Sequence, residues 1–178
     1  MFFKKIARKS CLFILLAVFF ILVFSNEQAK AGGYNLTFAV SGVVSSVNVK
    51  VGDKVKVGTV LAVLDLTPFT AAKRAAKATL DLAKLILTQS EVKLEQAQKL
   101  FNSLSTSGEE LENAIAEHAR ALSGYEVAKT QVEITTWHWQ QATLKSPFDG
   151  IVAATPGYPG IVINNDRVNI PIIVINKK

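Results

Sequence analysis

Residues 66 to 145 contain no proline after Pro68 and only two glycines, and they separate two short stretches that read as β-structure. An eighty-residue run with so few chain breakers is predicted to be helical. Neither flanking stretch holds enough apolar surface to stand alone. The two therefore have to meet in one small domain that the helical segment interrupts.

Inside the insert the apolar residues repeat in heptads. On a first arm Leu80, Leu87, Leu94 and Phe101 recur every seven residues, and Ala76, Ala83, Ser90, Ala97 and Leu104 follow at a second heptad position. On a second arm Leu111, His118, Tyr125, Val132 and Trp139 recur at seven, accompanied by Ala114, Ala121, Ala128, Thr135 and Ala142. Such a pattern predicts two antiparallel helices in a coiled-coil hairpin, the small residues allowing close approach. Lys84, Glu91, Lys93, Glu95, Glu112 and Glu117 fall off the seam and read as solvated faces. Pro68 suits a first helical turn. The break lies at residues 102 to 108, where Ser107 and Glu110 have the spacing of a capping box. At 1.5 Å per residue each arm is expected to reach roughly 54 Å.

The flanking stretches alternate apolar and polar residues between glycine turns. Val47, Val49, Val51, Val55 and Val57 alternate around Gly52-Asp53, and Gly58-Thr59 marks a second turn. After the insert, Pro147, Gly150, Pro156-Gly157 and Pro159-Gly160 punctuate the chain before an apolar run from Ile170 to Ile175. The expected fold class is α+β: a small β-domain split by a long antiparallel coiled-coil hairpin. Its first half is expected over 36–65, the hairpin over 66–145 and the second half over 146–178.

Gly42-Val43-Val44, the run from Val51 through Gly52, Asp53 and Gly58, and Leu61 to Asp65 resemble the first half of a biotinyl/lipoyl-like domain. Ser146-Pro147-Phe148-Asp149-Gly150 is similar to the start of its second half. Split by a helical hairpin, the pattern resembles the periplasmic adaptor subunits, or membrane fusion proteins, of the HlyD type. The resemblance implies a bridge between an inner-membrane transporter (RND or ABC type) and an outer-membrane channel protein. It also implies homo-oligomers with lipoyl-like domains packed in a ring, and a hairpin tip that meets the channel. Efflux-type members show an arginine, a leucine four residues later and a serine seven beyond that. Here Gln96 occupies the arginine place, while Leu100 and Ser107 match; Ser103 and Leu104 complete the implied docking tip. A true carrier domain is the neighbouring alternative, but its pattern puts Pro68 where the modified lysine should stand. A structural periplasmic coiled-coil protein, or a non-functional remnant of a split adaptor, is a further alternative. Full-length adaptors also carry a β-barrel and a membrane-proximal domain, so this chain is expected to be a minimal adaptor, one piece of a split one, or a remnant.

The first 31 residues read as an export signal. Lys4, Lys5, Arg8 and Lys9 precede a thirteen-residue apolar run, Leu12 to Phe24, and Ala29-Lys30-Ala31 has the small-x-small form of a cleavage site. A spanning helix needs about 20 residues. Cleavage would remove Cys11, the only cysteine, leaving a chain suited to a periplasm and peripheral to the inner membrane. It would also take five basic residues and one acidic one, lowering the formal charge from +6 to +2. Nucleic-acid binding is therefore not expected. His118 and His138 have no cysteine or second histidine at ligand spacing, so no metal is expected. Trp137 and Trp139 are expected to pack on the β-domain. No nucleophile stands with a base and no glycine loop suits a phosphate. The expectation is a non-enzyme without cofactors.

Overall fold

The computed structural model describes residues 33–164 and 170–178; the expected export signal lies outside the described residues. Strands β1 (Tyr34–Leu36), β2 (Gly42–Val47), β3 (Lys54–Val55) and β4 (Val60–Leu64) precede two long helices, α1 (Thr67–Asn102) and α2 (Gly108–Gln141). Strands β5 (Thr143–Lys145), β6 (Gly150–Ala154), β7 (Val162–Ile163) and β8 (Ile173–Lys177) follow. The strands form two four-stranded sheets, ordered β1-β8-β6-β3 and β5-β4-β2-β7. Each sheet draws strands from both sides of the insert, so neither half folds without the other.

The residues that carry the split motif turn out to sew the halves together. Gly52 N–H donates to the Val152 carbonyl at 2.8 Å, and Val152 N–H returns a bond to Asp53 at 3.0 Å. Gly58 N–H and Ser146 N–H make a similar exchange with Ser146 and Thr59, at 2.8 and 2.9 Å. Asp149 reaches across 92 residues to accept from Val57 N–H at 2.8 Å. Gly52 and Gly58 both take positive φ, 93° and 82°, which their turns require and a side chain would resist. Gly150 is needed for another reason. A Cβ there would stand 2.4 Å from the Asn176 carbonyl oxygen on β8. Phe148 packs edge-on against Tyr34, with ring centroids 4.9 Å apart.

Between the sheets lies one core of Phe38, Val40, Val44, Val55, Leu61, Ala62, Leu64, Ala142, Val152, Ile163, Ile172, Ile173 and Ile175. It is the small Val, Ile and Leu core that the pairing of the halves predicts, with one large addition. Phe38 lies ahead of the recognisable motif, in the link from β1 to β2, and is fully buried. Burying such side chains stabilises by about 1.5–3 kcal/mol each before entropy is charged.

The helices bury the expected seam. Ala76, Ser90 and Ala97 on α1 and Ala121, Ala128 and Thr135 on α2 are buried. The larger seam residues, Leu80, Leu87, Leu94, Leu111, His118, Tyr125 and Val132, are half-buried. Among the described residues the two helices have no third layer over them, so they cover the small central positions fully while long side chains spill over the edge of the contact. Three contacts across the arms mark the antiparallel register. Ser90 Oγ lies 3.3 Å from His118 Nδ1, Lys93 Nζ lies 2.7 Å from Glu117 Oε1, and the Lys73 ammonium sits 4.9 Å over the Trp139 ring. That last contact corrects one expectation: both tryptophans are exposed and neither belongs to the core cluster. Trp139 instead spans the base of the hairpin toward Lys73. The ends of the seam depart as well, because Phe101 and Leu104 are exposed where the heptad pattern alone would bury them.

Candidate functional site

The hairpin tip concentrates what the β-domain does not use. Helix α1 ends at Asn102 with a Schellman arrangement: Ser105 N–H donates to the Leu100 carbonyl at 2.9 Å and Leu104 N–H to the Phe101 carbonyl at 3.0 Å. This motif needs a left-handed residue after the cap, ordinarily glycine. Here that residue is Leu104, with φ of 55°. The motif also commonly buries an apolar residue against the last turn, yet that place is held by Ser105. Leu100 is consequently 47% exposed, Phe101 40% and Leu104 93%.

The polar groups of the tip are turned on one another. Ser103 Oγ donates to the Leu100 carbonyl at 2.9 Å and lies 3.1 Å from Ser105 Oγ. Ser107 caps α2, its hydroxyl accepting from Glu110 N–H at 3.3 Å. The Glu110 carboxylate accepts from the Thr106 hydroxyl, so the capping box the spacing suggested is made in one direction with Thr106 as the second partner. Glu109 and Glu110 lie in the first turn of α2 and Lys99 in the last turn of α1, each favourable to the helix dipole. From Leu100 to Gly108 no side chain is charged.

The other singled-out residues lie elsewhere. Gln96 is exposed on the last turns of α1, one turn before Leu100. Gly42, Gly52, Asp53, Gly58, Asp65, Pro147, Phe148, Asp149 and Gly150 all belong to the β-domain or its junction with α1, and their interactions are those of turns, ladders and caps. Asp53 Oδ2 accepts from Lys50 N–H at 2.8 Å. Asp65 Oδ1 accepts from Thr67 N–H at 2.9 Å, at the start of α1, and this bond to the backbone, with a smaller share from the Thr67 side chain, holds its carboxyl below the usual range. Among the described residues no group of three His, Cys, Asp or Glu side chains gathers as a metal site would require. Nor is any helix among them long and apolar enough to cross a membrane. What sequence reasoning missed is the backbone conformation of Leu104, which no heptad or motif signals.

A small two-sheet domain assembled from both chain halves and interrupted by a helical hairpin corresponds to a known family model. The CzcB-like, barrel-sandwich hybrid domain matches residues 34–172. The chain belongs to that family. Its members are membrane fusion proteins, periplasmic adaptors rather than enzymes. Solved structures agree. A MacA-MexA chimeric protein containing the Pseudomonas aeruginosa MexA α-hairpin domain is 27% identical, with a TM-score of 0.60 over 82% of this chain and 48% of the other. MacA from Actinobacillus actinomycetemcomitans is also 27% identical, with a TM-score of 0.55 over 80% and 48%. The membrane fusion protein Spr0693 from Streptococcus pneumoniae R6 shares the fold at 17% identity, with a TM-score of 0.61 over 82% and 62%. The chain thus spans less than two thirds of the length of these structures. No curated protein sequence matches it.

Proposed function

We propose that this membrane fusion protein is a periplasmic adaptor of HlyD type, exported by its N-terminal segment, in a tripartite efflux or secretion system. Its hairpin tip docks an outer-membrane channel, and its barrel-sandwich domains pack in an oligomeric ring beside an inner-membrane transporter. One observation carries the reading: a hairpin of roughly 54 Å whose seam is filled by its own two arms ends in an uncharged turn with exposed Leu100 and Leu104. A segment built this way reaches a distant contact and offers nothing for catalysis.

Lateral packing has its own support on α1. Ala75, Ala78, Leu82, Leu85 and Val92 share one face of the helix, with polar Gln89 between the last two, on the side away from the seam. Leu82, Leu85 and Val92 are exposed there. A second copy, or another adaptor hairpin, would cover them.

Affinity isolation of the tagged full chain from gently solubilised envelopes tests the reading. An outer-membrane channel and an inner-membrane transporter should both be recovered. Replacing residues 100–107 by a Gly/Ser turn should lose the channel and keep the transporter. A strictly monomeric chain that recovers neither would leave a structural coiled-coil protein.

A further inference from the structure

Among the described residues Leu104 is the one non-glycine with positive φ. It is also the most exposed of the large apolar residues, at 93%. The two facts are independent, and each is unfavourable for a free chain. A Cβ in the left-handed region crowds the following carbonyl, and glycine would close the same Schellman turn without that strain. A leucine at the end of a hairpin gains nothing from packing, and a polar residue there would suit water better. Backbone strain of this kind persists where the surrounding structure imposes it, here the turn that closes α1, and it clusters at sites of function.

We propose that Leu104 is the anchor of the tip: the left-handed turn aims its side chain outward into an apolar socket on a protein partner. The inference rests on the docking reading above and adds to it which side chain enters the partner and why its backbone is strained.

The chemistry of the tip defines the socket. No charged side chain lies between Leu100 and Gly108, so what meets the turn itself need carry no charge; Lys99, Glu109 and Glu110 stand just behind it on the two helices. The hydroxyls of Ser103, Ser105, Thr106 and Ser107 are already engaged within the turn or with α2. Docking therefore strips little water from unsatisfied polar groups. Leu100 and Phe101 flank Leu104 as half-exposed apolar shoulders. The fitting partner is a protein surface with an aliphatic or aromatic pocket of leucine size.

The test places a photo-crosslinking amino acid at exposed Asn102 in the full chain, expressed in its own cells, and compares Leu104 with three replacements. The native tip should yield a protein adduct. Leu104→Met should keep it within about threefold, while Leu104→Ala and Leu104→Gly should reduce it at least tenfold, a difference on the scale of one buried side chain. Purified Leu104→Gly should meanwhile melt at or above the native temperature, which separates lost contact from lost folding. Capture by Leu104→Gly equal to native would overturn the anchor and leave tip docking standing. Melting of Leu104→Gly below native would remove the strain on which the argument rests. No adduct from the native tip, or an adduct of lipid mass, would overturn both readings.

Discussion

Gly150→Ala should unfold the β-domain well below the native melting temperature. Gly150 is buried in β6, where its pairing with Lys177 and that of Ile151 with Asn176 hold β6 to β8. The added Cβ would lie 2.4 Å from the Asn176 carbonyl oxygen, 2.6 Å from Ile175 Cγ2 and 3.2 Å from the Asn176 carbonyl carbon. Two of these groups are backbone, so no rotamer change relieves the clash and β8 has to move away. Overpacking of this kind costs about 1–3 kcal/mol. Each weakened ladder bond adds about 1 kcal/mol. Moving β8 also disturbs Ile173 and Ile175, both fully buried, so the total should be about 2–4 kcal/mol. For a domain of this size that corresponds to a fall of roughly 5–15 °C. The assay is thermal unfolding followed by near-ultraviolet circular dichroism. Gly124→Ala serves as the control: its Cβ meets nothing within 4 Å on helix α2, and it should stabilise by about 0.5–1 kcal/mol. A Gly150→Ala protein melting within 2 °C of native, a window of about 1 kcal/mol or less, would refute the strand placement behind the argument.

Other consequences follow from the hairpin. Ala128→Leu should force the arms apart, because Ala128 is buried in the seam, with a loss of about 1–3 kcal/mol read by urea unfolding of the helical signal. The Lys93–Glu117 pair is more than half exposed on both sides, so Glu117→Gln should change stability by less than about 1 kcal/mol, and less still in 1 M salt. Asp65, whose carboxyl is held low by its bond to Thr67 N–H, stabilises the start of α1 fully above its ordinary pKa of 3.8 and loses that effect as pH falls through the lowered value. The difference between native and Asp65→Ala proteins should therefore narrow on acidification from pH 5 to 2, measured by chemical denaturation at each pH; a gap that is constant or widens would contradict a stabilising role for this bond.

The heptads made the hairpin legible because a two-helix contact has a single seam. Small residues at its centre have to repeat every seven positions, and Ala76, Ala97, Ala121 and Ala128 do so. The split β motif was legible for a related reason: Gly52, Gly58 and Gly150 stand where positive φ or a passing strand excludes a side chain. Phe38 and β1 were harder to read because three strand residues and one buried ring make too short a pattern to distinguish from a linker. The tip shows the opposite case. Heptad periodicity extends to Leu104, yet the chain reverses there, so the seam position becomes a left-handed turn with its side chain in solvent. Tertiary geometry decides that, and residue spacing carries no trace of it. Trp139 likewise follows the heptad but lies where the arms meet the β-domain, and its ring turns to the Lys73 ammonium rather than into the core.

The most direct measurement of the adaptor account is photo-crosslinking in intact cells from position 100 near the tip, with position 124 midway along α2 as control. Capture of an outer-membrane channel from position 100 and not from position 124 is the result the account predicts. An exported, folded chain that captures no channel from position 100, or captures it equally from both positions, would contradict it.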